Sequence, residues 1–302
     1  KYLEYPLFAE GYVNRFLTAG VFTEVQQFDK VKLHGRVNEW LKKGFAIHEN
    51  PCRKEFVRKR QENMPDYLEL DGATDGKNVE VFGQTRPLIP YFPFGNTGVD
   101  GSGFYYCPTW LRMYSYVLLE AERDCDVEFE LETCGGVTIW VDGAFVTDFT
   151  PFTRNMVKKT TVVLPLKAGK NRLLVCLDDL AERDTDYYFR LKRLGDAALT
   201  MLVPVRDEVE ADVIGRLENM LDQMYFDKEA YISETVKLNI LNPFSCPLPV
   251  AVAVAPGEFI EKMEGQESLV RTFRYGLEPD QKVLELFESD EIPPGYCYFT
   301  AC

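Results

Sequence analysis

The residues of this chain best suited to chemistry are flat aromatic rings interspersed with Asp, Asn and Arg. That chemistry is recognition of a hydroxyl-rich ligand: an aromatic face stacks on the C–H face of a sugar ring, while carboxylate, amide and guanidinium groups meet its hydroxyls. Tyr105, Tyr106, Trp110, Trp140, Asp142, Arg154 and Asn155 form the candidate set. Each also has a plainer reading. Trp140 shares a strand face with Thr138 and Asp142, and a large aromatic in a sandwich is more often core. A second candidate set is acidic. Asp178, Asp179, Glu182, Asp184 and Asp186 crowd five carboxylates into nine residues. These are oxygen donors enough for a structural calcium held by Asp178, Asp179 and Asp184, although an EF-hand's spacing and glycine are missing. The plainer reading is a turn in which Arg183 bridges its acidic neighbours.

Other chemistries lack their residues. His34 and His48 do not have H-E-x-x-H spacing, so zinc is not expected. No G-x-S-x-G elbow is present, and the loop from Gly95 to Gly103 lacks the G-K-[ST] ending that cradles phosphate. An acid pair for glycoside hydrolysis is compatible with 48 Asp and Glu, but the separation of such a pair belongs to the fold. No catalytic residue is therefore assigned, and no cofactor other than calcium is expected. A net charge of −14 argues against a nucleic-acid partner and against an anionic membrane surface. No apolar run reaches the roughly 18 residues of a membrane-spanning helix. The eight cysteines have no C-x-x-C spacing and no N-x-S/T sequon is present, which together predict a cytoplasmic protein.

The elements that must position these residues are mostly strands. Val137, Ile139 and Val141 alternate with Thr138, Trp140 and Asp142, and Asp142-Gly143 then leads into Ala144-Phe145-Val146, a strong hairpin signal. Thr161 to Leu166, a turn at Lys167 to Asn171, and Leu173 to Leu177 read as a second unit of the same kind. Residues 113–119 and 127–131 are further strands. Residues 36–64 are helical instead, with Val37, Trp40, Leu41 and Phe45 on one face. There Arg53, Lys54, Arg58, Lys59 and Arg60 read as a solvated basic face. Asp207 and Glu210 fit a capping-box start to a helix whose stripe runs through Val209, Val213, Leu217, Leu221 and Met224. Packing between domains is the expected use of that stripe. Strands at 236–240, 250–254, 283–287 and 296–299 follow.

Three motifs carry a family resemblance. Asn14 to Phe22 (NRFLTAGVF) looks like an opening jelly-roll strand that leads into a Gly-x-Phe turn. Gly136 to Gly143 (GVTIWVDG) resembles a hairpin of form G-V-x-[IV]-W-[VL]-[ND]-G, and Lys167 to Leu173 (KAGKNRL) resembles the strand entry that follows it. Such motifs occur in the galactose-binding-like sandwiches of large bacterial carbohydrate-active enzymes, as in the sugar-binding domain of family 2 glycoside hydrolases. The resemblance implies a mainly β protein: a jelly-roll β-sandwich at 1–204, then a helix and a smaller Ig-like β-sandwich at 205–302. It also implies a non-catalytic carbohydrate-binding or scaffolding region of a glycoside hydrolase. Its partners would be a carbohydrate or a catalytic domain of the same polypeptide, and a chain ending at a strand suggests a segment of a longer protein. Two alternatives stay open: a complete hydrolase using an Asp/Glu pair, and a purely structural module.

Overall fold

The computed structural model describes residues 1–28, 30–42, 50–206, 210–256, 271–292 and 297–301. Within them the chain is mainly β, built from antiparallel sheets that form sandwiches, with three α-helices. It divides into two compact units, Lys1–Ala211 and Asp212–Cys302. The first unit opens with β1 (Tyr2–Leu7), β2 (Leu17–Val25), α1 (Lys30–Lys42) and α2 (Pro51–Glu62). The short strands β3 (Asn78–Val81), β4 (Gln84–Pro87), β5 (Ile89–Pro90) and β6 (Val99–Asp100) follow. Then come the long strands β7 (Gly103–Ala121), β8 (Cys125–Thr133), β9 (Gly136–Val141), β10 (Ala144–Phe149), β11 (Lys158–Leu166) and β12 (Gly169–Thr185). Finally β13 (Tyr188–Arg193) and β14 (Leu199–Pro204) close the unit.

One sheet runs in the order β1-β14-β7-β12-β9-β10, with β2 also on β7 and β5 on β2; the second runs β11-β8-β13-β6. Period-2 alternation explains how they make a core. Leu111, Met113, Val117 and Leu119 of β7 share a face with Leu173, Val175 and Leu177 of β12 and with Val137 and Ile139 of β9. All are buried, as are Val127, Phe129 and Leu131 of β8, Leu164 of β11, and Phe189 and Leu191 of β13. Alternate residues of β8 and β11 are largely exposed, as expected of a sheet wetted on one side.

The Asp142-Gly143 hairpin is present, joining β9 to β10. Both central residues lie in the left-handed region, at φ 50° and 83°, as a type I′ turn requires. The second expected unit is different. β11 pairs with β8 and β12 pairs with β7 and β9, so residues 167–168 form a corner between sheets rather than a hairpin tip. Asn171 holds that corner: its amide nitrogen donates to the carbonyls of Lys167 (2.8 Å), Gly169 (3.0 Å) and Leu119 (3.1 Å), and its oxygen accepts from the Lys167 N–H (2.7 Å).

The second unit begins in sequence with α3 (Ala211–Asp222) and continues with β15 (Tyr225–Phe226), β16 (Thr235–Asn239), β17 (Leu248–Pro256), β18 (Arg271–Leu277), β19 (Val283–Glu288) and β20 (Cys297–Ala301). Its sheets are β15-β16-β19 and β18-β17-β20. Val236, Leu238 and Ile240 join Val250, Val252, Leu284 and Leu286 in one core, against which Leu217, Met220, Leu221 and Met224 pack. Leu217, Leu221 and Met224 of the helical stripe thus serve the core of their own unit. Asp207 and Val209 of the expected helix start lie outside the described residues, as do Phe45, His48 and Tyr296.

Asn171 is wholly buried. Asn171→Ala strands several buried backbone groups at once, and is expected to cost about 2–3 kcal/mol in urea denaturation. An unchanged midpoint would show that the corner holds without it.

Candidate functional site

The buried polar chemistry of the first unit starts on α2. Asn50 caps the helix through a hydrogen bond from the Cys52 N–H to its Oδ1 (2.8 Å), and Pro51 takes the first helical position. Arg53, Phe56 and Arg60 then share one face by their spacing of three, four and seven, and that face is the buried one. Arg53 and Arg60 are each 1% exposed. They are not a solvated basic face, as their sequence neighbourhood suggests; Arg58 keeps that role, pairing with Glu55 and Glu62 on the outside.

Asp178 of β12 receives the helix. Its Oδ2 accepts from Arg60 Nε (2.9 Å) and Arg112 Nη2 (3.3 Å), and its Oδ1 from Arg112 Nε (2.7 Å) and the Trp110 indole N–H (2.9 Å). Four donors occupy the four lone-pair sites of a carboxylate. Arg60 also donates to Thr138 Oγ1 (2.8 Å) and Asp148 Oδ1 (2.7 Å), so its charge lies between two carboxylates. Burial opposes the Arg60 charge, but Asp178 and Asp148 outweigh it and hold its pKa above the ordinary arginine value. Asp179 is the next residue on β12 and so belongs to the opposite face. Arg53 reaches it at 2.6 Å and also donates to the Leu180 carbonyl. Burial pushes the Asp179 carboxyl up, against the pull of Arg53. Gly135 and Gly136 make room nearby: a Cβ at Gly136 would meet the Phe152 ring at 2.5 Å, and one at Gly135 the Asp178 carbonyl at 2.6 Å.

This placement revises the acidic candidates. Asp178 and Asp179 are not in a turn but inside β12, where guanidinium groups occupy the places a calcium ion would take. Asp184 sits farther along the strand, exposed, with its carbonyl accepting from Asn155. Among the described residues no group of three or more His, Cys, Asp or Glu side chains is arranged to hold a metal ion.

A second, open site lies where β7 and β12 run on together. Ala181 pairs with Thr109 and Arg183 with Tyr105, so Tyr106, Cys107 and Pro108 stand opposite the single residue Glu182. Such a bulge re-aims side chains. Here it borders a cleft of about 250 Å³ lined by Tyr106, Cys107, Pro108, Arg154, Glu182 and Arg183. The loop after β10 is strapped across it. Arg154 donates to the Glu182 carbonyl, Asn155 Nδ2 to the Asp184 carbonyl (3.1 Å), and the Asp186 N–H to Asn155 Oδ1 (2.9 Å). Arg154, Asn155 and Arg183 all have left-handed backbone, at φ 43°, 57° and 63°, uncommon for residues with side chains. Tyr106 is 70% exposed, and Phe104 meets it edge-on at 5.0 Å. The Glu182 carboxylate turns inward, to Asn50 Nδ2 (3.4 Å) and Arg53 Nη2 (3.6 Å).

The seven aromatic and polar candidates therefore separate. Tyr105, Tyr106, Arg154 and Asn155 come together around the bulge. Trp110 and Trp140 are 4% and 5% exposed and offer no ring face to a ligand: Trp110 packs edge-on to Phe56 and Trp140 to Tyr67. Asp142 belongs to the hairpin turn, where it accepts from the Arg172 N–H (3.0 Å). Cys107 and Pro108 were not anticipated, and Glu182 and Arg183 were read only as members of the acidic cluster, not as cleft residues; a proline inside a strand pattern is the signal that marks the bulge.

No protein-family model matches the chain, and no curated protein is similar to it in sequence. Solved structures similar to it include an anti-sigma factor domain-containing protein from Clostridium clariflavum, at 10% identity and a TM-score of 0.28, covering 76% of this chain and 90% of that one. A GH2 beta-galacturonidase from Eisenbergiella tayi is similar at 13% identity and a TM-score of 0.23, covering 70% of this chain and 34% of the enzyme. A putative beta-galactosidase from Bacteroides fragilis is similar at 11% identity and a TM-score of 0.23, covering 99% of this chain and 35% of that one. TM-scores this low carry no functional argument.

Removing one partner from a buried ion pair leaves the other charge uncompensated. Arg60→Met is thus expected to cost about 3–5 kcal/mol in urea denaturation, while Arg58→Ala on the solvent face leaves the midpoint essentially where it was. Equal small effects would mean that water already reaches Asp178.

Proposed function

We propose that the first unit is a non-catalytic carbohydrate-binding module of a glycoside-processing protein, with the bulge cleft as its binding site and the second unit as an Ig-like linker domain. The observation that carries this reading is the exposed Tyr106 ring, set beside Arg154 and Arg183 in one small cleft. An exposed aromatic ring can stack on a pyranose, and the polar groups around it meet hydroxyls. Phe104 steadies the ring, which lowers the entropy lost on binding.

The carboxylates of the first unit favour binding over hydrolysis. Glycoside hydrolysis takes two carboxyl groups about 5–10 Å apart, both facing the scissile bond. The one carboxylate in the cleft lining, Glu182, turns toward Arg53 instead. Asp178, wholly buried like Asp179, has its lone pairs filled by Arg60, Arg112 and Trp110.

Glycan-array screening followed by calorimetry tests this reading. The intact chain is expected to bind oligosaccharides, and Tyr106→Ala to weaken that binding about tenfold, the scale of one lost stacking contact. Tyr225→Ala, an exposed aromatic of the second unit, serves as the control. A chain that binds no glycan, or that turns over aryl glycosides, overturns the assignment.

A further inference from the structure

We infer that the bulge cleft selects saccharides bearing a carboxylate, that is, uronic-acid residues, over their neutral counterparts; this rests on the carbohydrate-binding reading of the same cleft. The ground is a charge imbalance. The chain carries 48 acidic residues against 34 Lys and Arg, so acidic partners for arginine are plentiful. Arg53, Arg60, Arg112, Arg172 and Arg190 each pair with a carboxylate. Arg154 and Arg183, both in the cleft wall, form no such pair among the described residues; Arg154 donates instead to the Glu182 backbone carbonyl.

Glu182 would be the natural partner for both. Its side chain is only 13% exposed and is drawn inward by Arg53 at 3.6 Å. The buried network thereby removes the negative charge of the lining from the cleft and leaves the two guanidiniums to face a ligand. Asp184 and Asp186 stand on the same strand end and pair with neither arginine; Asn155 ties their backbone to the strapped loop. A guanidinium presents a planar fork of donors that matches a carboxylate. Beside the Tyr106 ring, that fork suits the C6 carboxylate of a sugar whose apolar face lies on the ring. The hydroxymethyl group of the neutral sugar offers no charge in that place.

Matched pairs of probes separate the two claims. β-1,4-Linked tetraglucuronate and cellotetraose, and β-1,4-linked tetramannuronate and mannotetraose, differ in each pair only in oxidation at C6. Calorimetric titration of the intact chain at low salt is expected to show the acidic member of a pair binding about tenfold more tightly, the scale of a charge-assisted contact. The advantage should shrink as ionic strength rises. Arg183→Gln should remove most of the preference and Arg183→Lys, which keeps the charge, should retain part of it. Equal affinities within each pair overturn the selectivity and leave the sugar-binding reading standing. Binding of neither member overturns both.

Discussion

The structure depends on the burial of two arginines of α2 against consecutive aspartates of β12. Taking a guanidinium out of water is costly unless a carboxylate meets it with good geometry, and taking away either partner is costlier still. Arg53 and Arg60 are seven residues apart, two helical turns or about 10 Å along the axis. Asp178 and Asp179 are neighbours on a strand and therefore face opposite sides of the sheet. One helix can satisfy both only by lying over the sheet with its first turn reaching past the end of β9. The side-chain-free Gly135-Gly136 step lies at that end, beside Phe152, whose carbonyl also faces Arg53. Helix position, glycine placement and carboxylate pairing are one constraint.

This constraint also shapes what the surface can do. Asp178 and Asp179, two of the three carboxylates proposed for a calcium site, are instead internal acceptors. Arg53 extends the same logic outward by drawing in Glu182, and the bulge of Tyr106 to Pro108 opens directly opposite that residue. The cleft thus takes its electrostatic character from the ion pair beneath it. Glu182 joins the buried network to the cleft wall: its backbone carbonyl accepts from Arg154 while its carboxylate faces Arg53.

Some of this was legible in the residues alone. The mainly β character follows from alternation, and Asp142-Gly143 announces its hairpin because few other dipeptides tolerate two successive positive φ angles. The strands of the second unit follow equally from Val236, Leu238 and Ile240. The same local reading failed at Lys167 to Asn171, where a polar turn between two apolar strands looks like a hairpin but is a corner between sheets. It failed again for the arginines of α2, because a basic helix segment looks the same whether water or a carboxylate lies beneath it.

What the sequence determined by itself is therefore the backbone conformation of short segments: strand, left-handed turn, capped helix. These are set by steric and hydrogen-bonding preferences acting over a few residues. Tertiary structure alone decided which strands pair, which charges are buried, and which of the candidate side chains gather at one cleft. Those outcomes rest on desolvation and on partners far away in the chain. Arg53 and Asp179 are 126 positions apart and Arg60 and Asp178 118 apart. Only the folded chain brings each charge to its counter-charge, and so determines that Trp110 and Trp140 pack inside while Tyr106 lies exposed at the surface.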